Sequence, residues 1–103
     1  LSWKKIGQRY GYNGWRKILI KEFELPNGQV RAFDIMDSGS YVTIIPITRS
    51  GAWVCVRQFR PGPELFITGF PEGGVEDGEP IEETARRELA EETGYRAGRL
   101  IPL

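Results

Sequence analysis

The chain has 103 residues, 40% hydrophobic and 27% charged, with 14 basic and 14 acidic side chains. That length suits one domain with a modest core, and the zero net charge excludes the broad basic footprint of a nucleic-acid binder. No apolar run approaches the roughly 18 residues that a membrane-spanning helix needs. The chain begins at Leu1 rather than Met, and no charged-then-apolar leader opens it.

There is one cysteine, Cys55, and no histidine. A lone cysteine forms no internal disulfide, which fits a reducing, cytoplasmic setting. Cys55 sits in the apolar run Trp53-Val54-Cys55-Val56, which predicts a buried structural thiol. Without histidine, the commonest general base and zinc ligand are missing. Acid–base and metal chemistry falls to carboxylates.

Residues 1–14 carry Trp3, Ile6, Tyr10 and Tyr12, interrupted by glycines, and read as a loosely ordered arm. Lys17 to Leu25 alternates charged and apolar residues, Pro26-Asn27-Gly28 turns the chain, and Gln29 to Met36 resumes the alternation. This predicts a β-hairpin. The loop Asp37-Ser38-Gly39-Ser40 divides an N-terminal element, residues 1–36, from the remainder, residues 37–103.

Strands are expected at Tyr41–Thr48, with Pro46 marking an edge or a bulge, at Ala52–Phe59, and over a short stretch within Glu64–Phe70. A glycine-rich acidic loop, Gly73 to Glu79, follows. Pro80 suits a first helical turn, Ile81 to Thr93 are helix formers, and Gly94 is a natural stop. Ile81, Ala85 and Leu89 form a narrow apolar stripe at i, i+4 and i+8.

Glu88, Glu91 and Glu92 fall at i, i+3 and i+4, so they share a helix face. Like charges there cost a few tenths of a kcal/mol per pair, and the macrodipole disfavours anions near a helix C-terminus. A divalent cation between them would reverse both effects, and hard oxygen ligands suit Mg²⁺ or Mn²⁺. A solvated acidic helix face, softened by Arg86 and Arg87, is the alternative for these residues taken alone.

The spacing around the cluster favours the metal reading. From Gly73, five residues lead to Glu79, seven more to Arg87-Glu88-Leu89, then Ala90, Glu91-Glu92, Thr93, Gly94 and Tyr95. At about 1 in 15 per fixed identity, chance agreement is on the order of 10⁻⁸ per start position. The segment 73–95 resembles the Nudix box, departing only at Tyr95, where the family usually has an aliphatic residue.

The resemblance implies an α+β fold, the α/β/α sandwich of the Nudix type carrying an N-terminal β-hairpin arm, with the C-terminal part of the sandwich missing from this chain. It implies catalytic and metal-binding roles for Glu88, Glu92 and Glu91, with Glu91 a direct or water-mediated ligand. The backbone carbonyl of Glu72 would join them, although a small residue is common at that position. Arg87 and Glu79 would form a structural ion pair, framed by Gly73 and Gly94. A further catalytic carboxylate would lie in a loop beyond residue 103.

Val56-Arg57-Gln58-Phe59-Arg60 and the hairpin around Pro26-Asn27-Gly28 resemble the ADP-ribose pyrophosphatase and nucleoside-diphosphate-sugar hydrolase group. By that likeness Arg60, and Arg57 with it, would face substrate; a cation on the strand surface is the alternative for either. Gly69-Phe70-Pro71-Glu72-Gly73 departs from the group by lacking an acidic residue at position 69. The expected activity is Mg²⁺-dependent hydrolysis of ADP-ribose or a sugar nucleotide, a small-molecule substrate. The alternative is a non-catalytic binding module or an inactive fragment of such an enzyme. The large aromatics near the N-terminus predict a homodimer through residues 1–36.

Overall fold

In the computed structural model, which describes residues 2–103, the chain forms two compact units, Leu1–Ser38 and Gly39–Leu103. Among the described residues every strand pairing is antiparallel and one helix accompanies the strands, an α+β composition.

The first unit is a three-stranded sheet in the order β1 (Lys4–Asn13), β2 (Lys17–Glu24), β3 (Val30–Met36). Its β2–β3 turn is closed by Gly28 N–H donating to Leu25 O at 2.9 Å and Gln29 N–H donating to Asn27 Oδ1 at 3.0 Å. Trp3, Phe23 and Phe33 form a mutual aromatic cluster with ring centroids 5.9–6.1 Å apart, a spacing at which edge-to-face contacts are favourable. The cluster joins the approach to β1 with β2 and β3.

The loosely ordered arm expected for residues 1–14 is corrected by β1. Its register with β2 shifts between Lys5 and Gly7 and again between Tyr10 and Tyr12. Such bulges absorb an extra residue without ending a strand, so glycines that break a helix are compatible with this one. Tyr10, Tyr12 and Trp15 remain exposed, Trp15 at 89%.

In the second unit β4 (Tyr41–Thr43) pairs with β7 (Glu72–Gly74), β5 (Val56–Arg60) pairs with β6 (Leu65–Gly69), and α1 (Ile81–Thr93) packs on β7 and β4. Several expectations change here. The Tyr41–Thr48 strand shrinks to β4. Pro46 has no N–H to donate, and beyond Ile44 the chain makes only a bridge, Ile47 opposite Trp53, closed by a turn at Thr48–Gly51. The strand expected from Ala52 starts at Val56. Cys55 precedes it, outside the strand ladder, and is exposed rather than buried. Gly73 and Gly74, expected to open the glycine-rich loop, belong instead to strand β7.

Helix α1 begins after Pro80, in extended conformation, with Glu82 and Glu83 in the first turn where the macrodipole favours anions. Its buried residues are Thr84 and Leu89; of the stripe expected at Ile81, Ala85 and Leu89, Leu89 is buried, Ala85 is half-buried and Ile81 is 64% exposed. Thr84 tolerates full burial because its one hydroxyl proton is donated within the unit, to Glu79 Oε1 at 2.6 Å, with Pro80 O a longer second acceptor at 3.3 Å. The helix stops at Gly94, whose φ of 77° is left-handed and whose N–H donates to Ala90 O at 2.9 Å. It is not long and apolar enough to cross a membrane.

A side chain at that stop is strained by its Cβ. Gly94→Ala is expected to destabilise the protein by about 1–2 kcal/mol, read as a lowered midpoint in denaturant titration with an unchanged slope.

Candidate active site

The loop from Val75 to Glu79 is held to α1 by one arginine. Arg87 donates from Nε to Glu79 Oε2 and from Nη2 to Glu79 Oε1, both at 2.9 Å, a two-pronged ion pair. Nη2 also donates to Gly74 O at 3.1 Å. Nη1 reaches Glu88 Oε1 at 2.7 Å and Glu91 Oε2 at 3.4 Å, and Glu76 lies 3.8 Å from Nη2. The guanidinium thus spans β7, the loop and two of the helix carboxylates.

Glu79 is the best-satisfied acid here, with its side chain 15% exposed. It accepts from Arg87, from Thr84 Oγ1 and from Glu76 N–H. The Arg87 bonds, with help from Thr84 and Glu76 and against the opposing effect of burial, pull its carboxyl down to about 2. The same bonds push the Arg87 pKa up, so this guanidinium stays charged. Thr84 was not among the residues singled out from sequence. The available signal was its place in the first turn, where a Thr hydroxyl reaches back to the carbonyl four residues earlier.

Gly73 is fixed by close approach. A Cβ there would collide with the carboxylate of Glu88, which is 13% exposed. Glu88 is therefore laid over the bare backbone of β7. Glu92, one turn on, is half-buried, and among the described residues no cation pairs with it. Among those residues no three acidic, Cys or His side chains gather into a metal cage. What the region offers a cation is narrower: Glu88 against a backbone left bare by glycine, with Glu92 one helical turn on. That hard-oxygen set is compatible with Mg²⁺, which commonly takes only one or two protein carboxylates and keeps several waters.

On the strands of the same unit lies a cleft of about 290 Å³, lined by Thr43, Val56, Gln58, Arg60, Ile67, Gly69, Phe70 and Glu72. Arg60 Nη2 stands 3.9 Å from Glu72 Oε1, and Thr43 Oγ1 donates to Glu72 Oε2 at 3.2 Å. The two arginines expected to face substrate are separated. Arg57 is not in the cleft lining, and its guanidinium stacks over Phe66 with 5.0 Å to the ring centroid.

The Glu79 carboxyl gives a pH expectation with a definite sign. Its folded value, about 2, lies below the ordinary 4.5, so the unfolded chain binds the proton more readily. The stabilisation from this group is complete above about 4.5 and is lost as pH falls toward 2. Denaturant midpoints measured at stepped pH should fall across that window. Glu79→Gln should have a lower midpoint near neutrality and a flatter acid limb. An acid limb in Glu79→Gln as steep as the wild-type one would contradict the assignment.

The NUDIX domain profile matches residues 38–103. The chain is 40% identical over 86 residues to an ADP-ribose pyrophosphatase of Bacillus subtilis, covering 84% of this chain and 46% of that protein. It is 33% identical over 93 residues to an ADP-sugar pyrophosphatase of Mus musculus, covering 80% and 43%. A crystal structure of an ADP compounds hydrolase superposes with a TM-score of 0.78 at 25% identity, over 96% of this chain and 55% of that one. The chain thus spans less than half the length of these two sequence relatives. With the matched domain profile covering residues 38–103, the box segment included, the chain belongs to the Nudix family.

Proposed function

We propose that the protein is a Mg²⁺-dependent pyrophosphohydrolase that cleaves a nucleoside diphosphate linked to another group, ADP-ribose or a sugar nucleotide. The observation that carries this reading is Glu88, whose carboxylate lies against the bare backbone of Gly73 while Arg87 clamps the intervening loop through Glu79. The names of the ADP-ribose and ADP-sugar pyrophosphatase relatives support the substrate class.

In this reading Glu88 and Glu92 hold the metal, the Glu72 carbonyl joins them, and Glu91 contributes directly or through a water. When bound, Mg²⁺ (or Mn²⁺) neutralises phosphate oxygens and lowers the pKa of a bound water. The chain's own part is positioning and proton transfer. Arg87 fixes Glu88 from one side and β7 bounds it on the other. Glu91, the more exposed carboxylate, would accept a proton from the attacking water. Arg60, in the cleft, contacts substrate. Arg57 would do so only by leaving Phe66.

A second reading, a non-catalytic binding module, rests on Arg87 Nη1 sitting 2.7 Å from Glu88 Oε1, where it competes for the carboxylate. A panel of ADP-ribose and sugar nucleotides with Mg²⁺ and Mn²⁺ separates the two. Under the hydrolase reading AMP, or the matching monophosphate, is released. Glu92→Gln should cut kcat by roughly 10² or more with helix content unchanged. Binding without turnover across the panel would favour the module.

The exposed Tyr10, Tyr12 and Trp15 of the first unit support a homodimer formed through residues 1–36. The single thiol, with no partner for a disulfide within the chain, suits a cytoplasmic setting. Sedimentation at tens of micromolar should give a dimer, and deletion of residues 1–36 should give a monomer. A monomeric wild-type chain would exclude this assembly.

A further inference from the structure

Glu72 stands where the family resemblance leads one to expect a small residue, and its side chain is engaged. Thr43 Oγ1 donates to one carboxylate oxygen at 3.2 Å, and the Arg60 guanidinium lies 3.9 Å from the other. All three line the cleft. Side chains alternate along a strand, so Val56, Gln58 and Arg60 share one face of β5. Their neighbours across the β5–β6 ladder include Ile67, opposite Gln58. The result is a slot with apolar walls at Val56, Ile67 and Phe70, and polar groups at Gln58, Thr43 and the Arg60–Glu72 pair.

The charge balance decides what this slot suits. Arg60 is the cation among its lining residues, and Glu72 already stands beside it. A phosphate entering there would meet the Glu72 carboxylate along with the guanidinium. An uncharged ring bearing hydroxyl or amide groups would meet both a donor and an acceptor without repulsion. The same alternation sends the Glu72 side chain to the face of β7 opposite Gly73, the residue overlaid by Glu88. The cleft and the Glu88 carboxylate are therefore separated by one strand. The part of a ligand that fills the slot is then not the diphosphate itself.

We propose that this cleft takes the uncharged polar ring at one end of the substrate, a sugar or a nucleobase. Glu72 is the specificity-determining residue that excludes a phosphate from it. The ligand class rests on the pyrophosphohydrolase reading above, while the role of Glu72 rests on the cleft's own charge balance.

The test is titration calorimetry with non-cleavable ADP-ribose whose bridging oxygen is replaced by methylene. It is run beside two derivatives, one phosphorylated on the terminal ribose and one on the adenosine ribose. The protein should bind the parent analogue about tenfold or more tightly than one of the derivatives, since like charges brought together are costly. The derivative that is rejected identifies which end occupies the slot. Glu72→Gln keeps an oxygen acceptor for Thr43 and should close most of that gap. Arg60→Gln, which leaves the carboxylate uncompensated, should widen it. Equal affinity for all three analogues in the wild type would overturn the proposal, and so would an unchanged ratio in Glu72→Gln. Failure to bind any of them would overturn it as well, by removing the ligand class. Binding with the expected ratios but no turnover of authentic ADP-ribose would overturn the hydrolase reading alone and leave the role of Glu72 standing.

Discussion

The guanidinium of Arg87 is a rigid planar fork of donors, and this site uses the fork's shape as much as its charge. One edge, Nε and Nη2, grips both oxygens of Glu79. Nη2 also takes the carbonyl of Gly74, and Nη1 is turned to Glu88 and Glu91. A lysine has a charge but no fork, and it could satisfy only part of this set. The loop from residue 75 to residue 79 carries two further acids, Glu76 and Asp77, and would otherwise be repelled by the acidic end of α1. Arg87 turns that repulsion into a tie. Thr84 completes the arrangement by supplying Glu79 with an uncharged donor.

The helix carries its acids in two places with opposite electrostatic consequences. Glu82 and Glu83 lie in the first turn, where the backbone dipole welcomes them, and no basic residue occupies the last turn to balance Glu91 and Glu92. A helix selected for stability alone would place lysine or arginine there. The cost is local and modest, a few tenths of a kcal/mol for each like-charged pair, and it falls on the segment that the strand contact and the Arg87 bonds already restrain. Stability is thus concentrated around Glu79, Thr84 and Arg87, while the adjoining turn retains unneutralised carboxylate.

Much of this was legible in the sequence wherever a local rule governs the outcome. The Asn27-Gly28 turn, the alternation on either side of it, and the helix bounded by Pro80 and Gly94 all follow from backbone preferences that act over a few residues. The fixed spacing from Gly73 to Tyr95 pointed to the segment that the structure folds into one clamp. What escaped was decided by partners distant in sequence. Lys4–Asn13 is a strand because β2 accepts its bulges, which no local pattern announces. Residues 72–74 become a strand because Tyr41–Thr43 pairs with them. Thr84 outranks Ile81 for burial because Glu79 and Pro80 satisfy its hydroxyl, a fact that hydrophobicity patterns cannot register. Arg57 and Arg60 look equivalent in the sequence, yet one stacks on Phe66 and the other faces Glu72.

The exposed Cys55 has a practical consequence. It is the chain's sole thiol and immediately precedes Val56, a residue of the cleft wall. A maleimide dye would therefore attach at one defined position, giving a homogeneous conjugate without any engineered cysteine. The label would sit beside the pocket rather than inside it. Changes in its emission would then follow, in real time, the filling of that pocket by small molecules too weakly bound to be isolated.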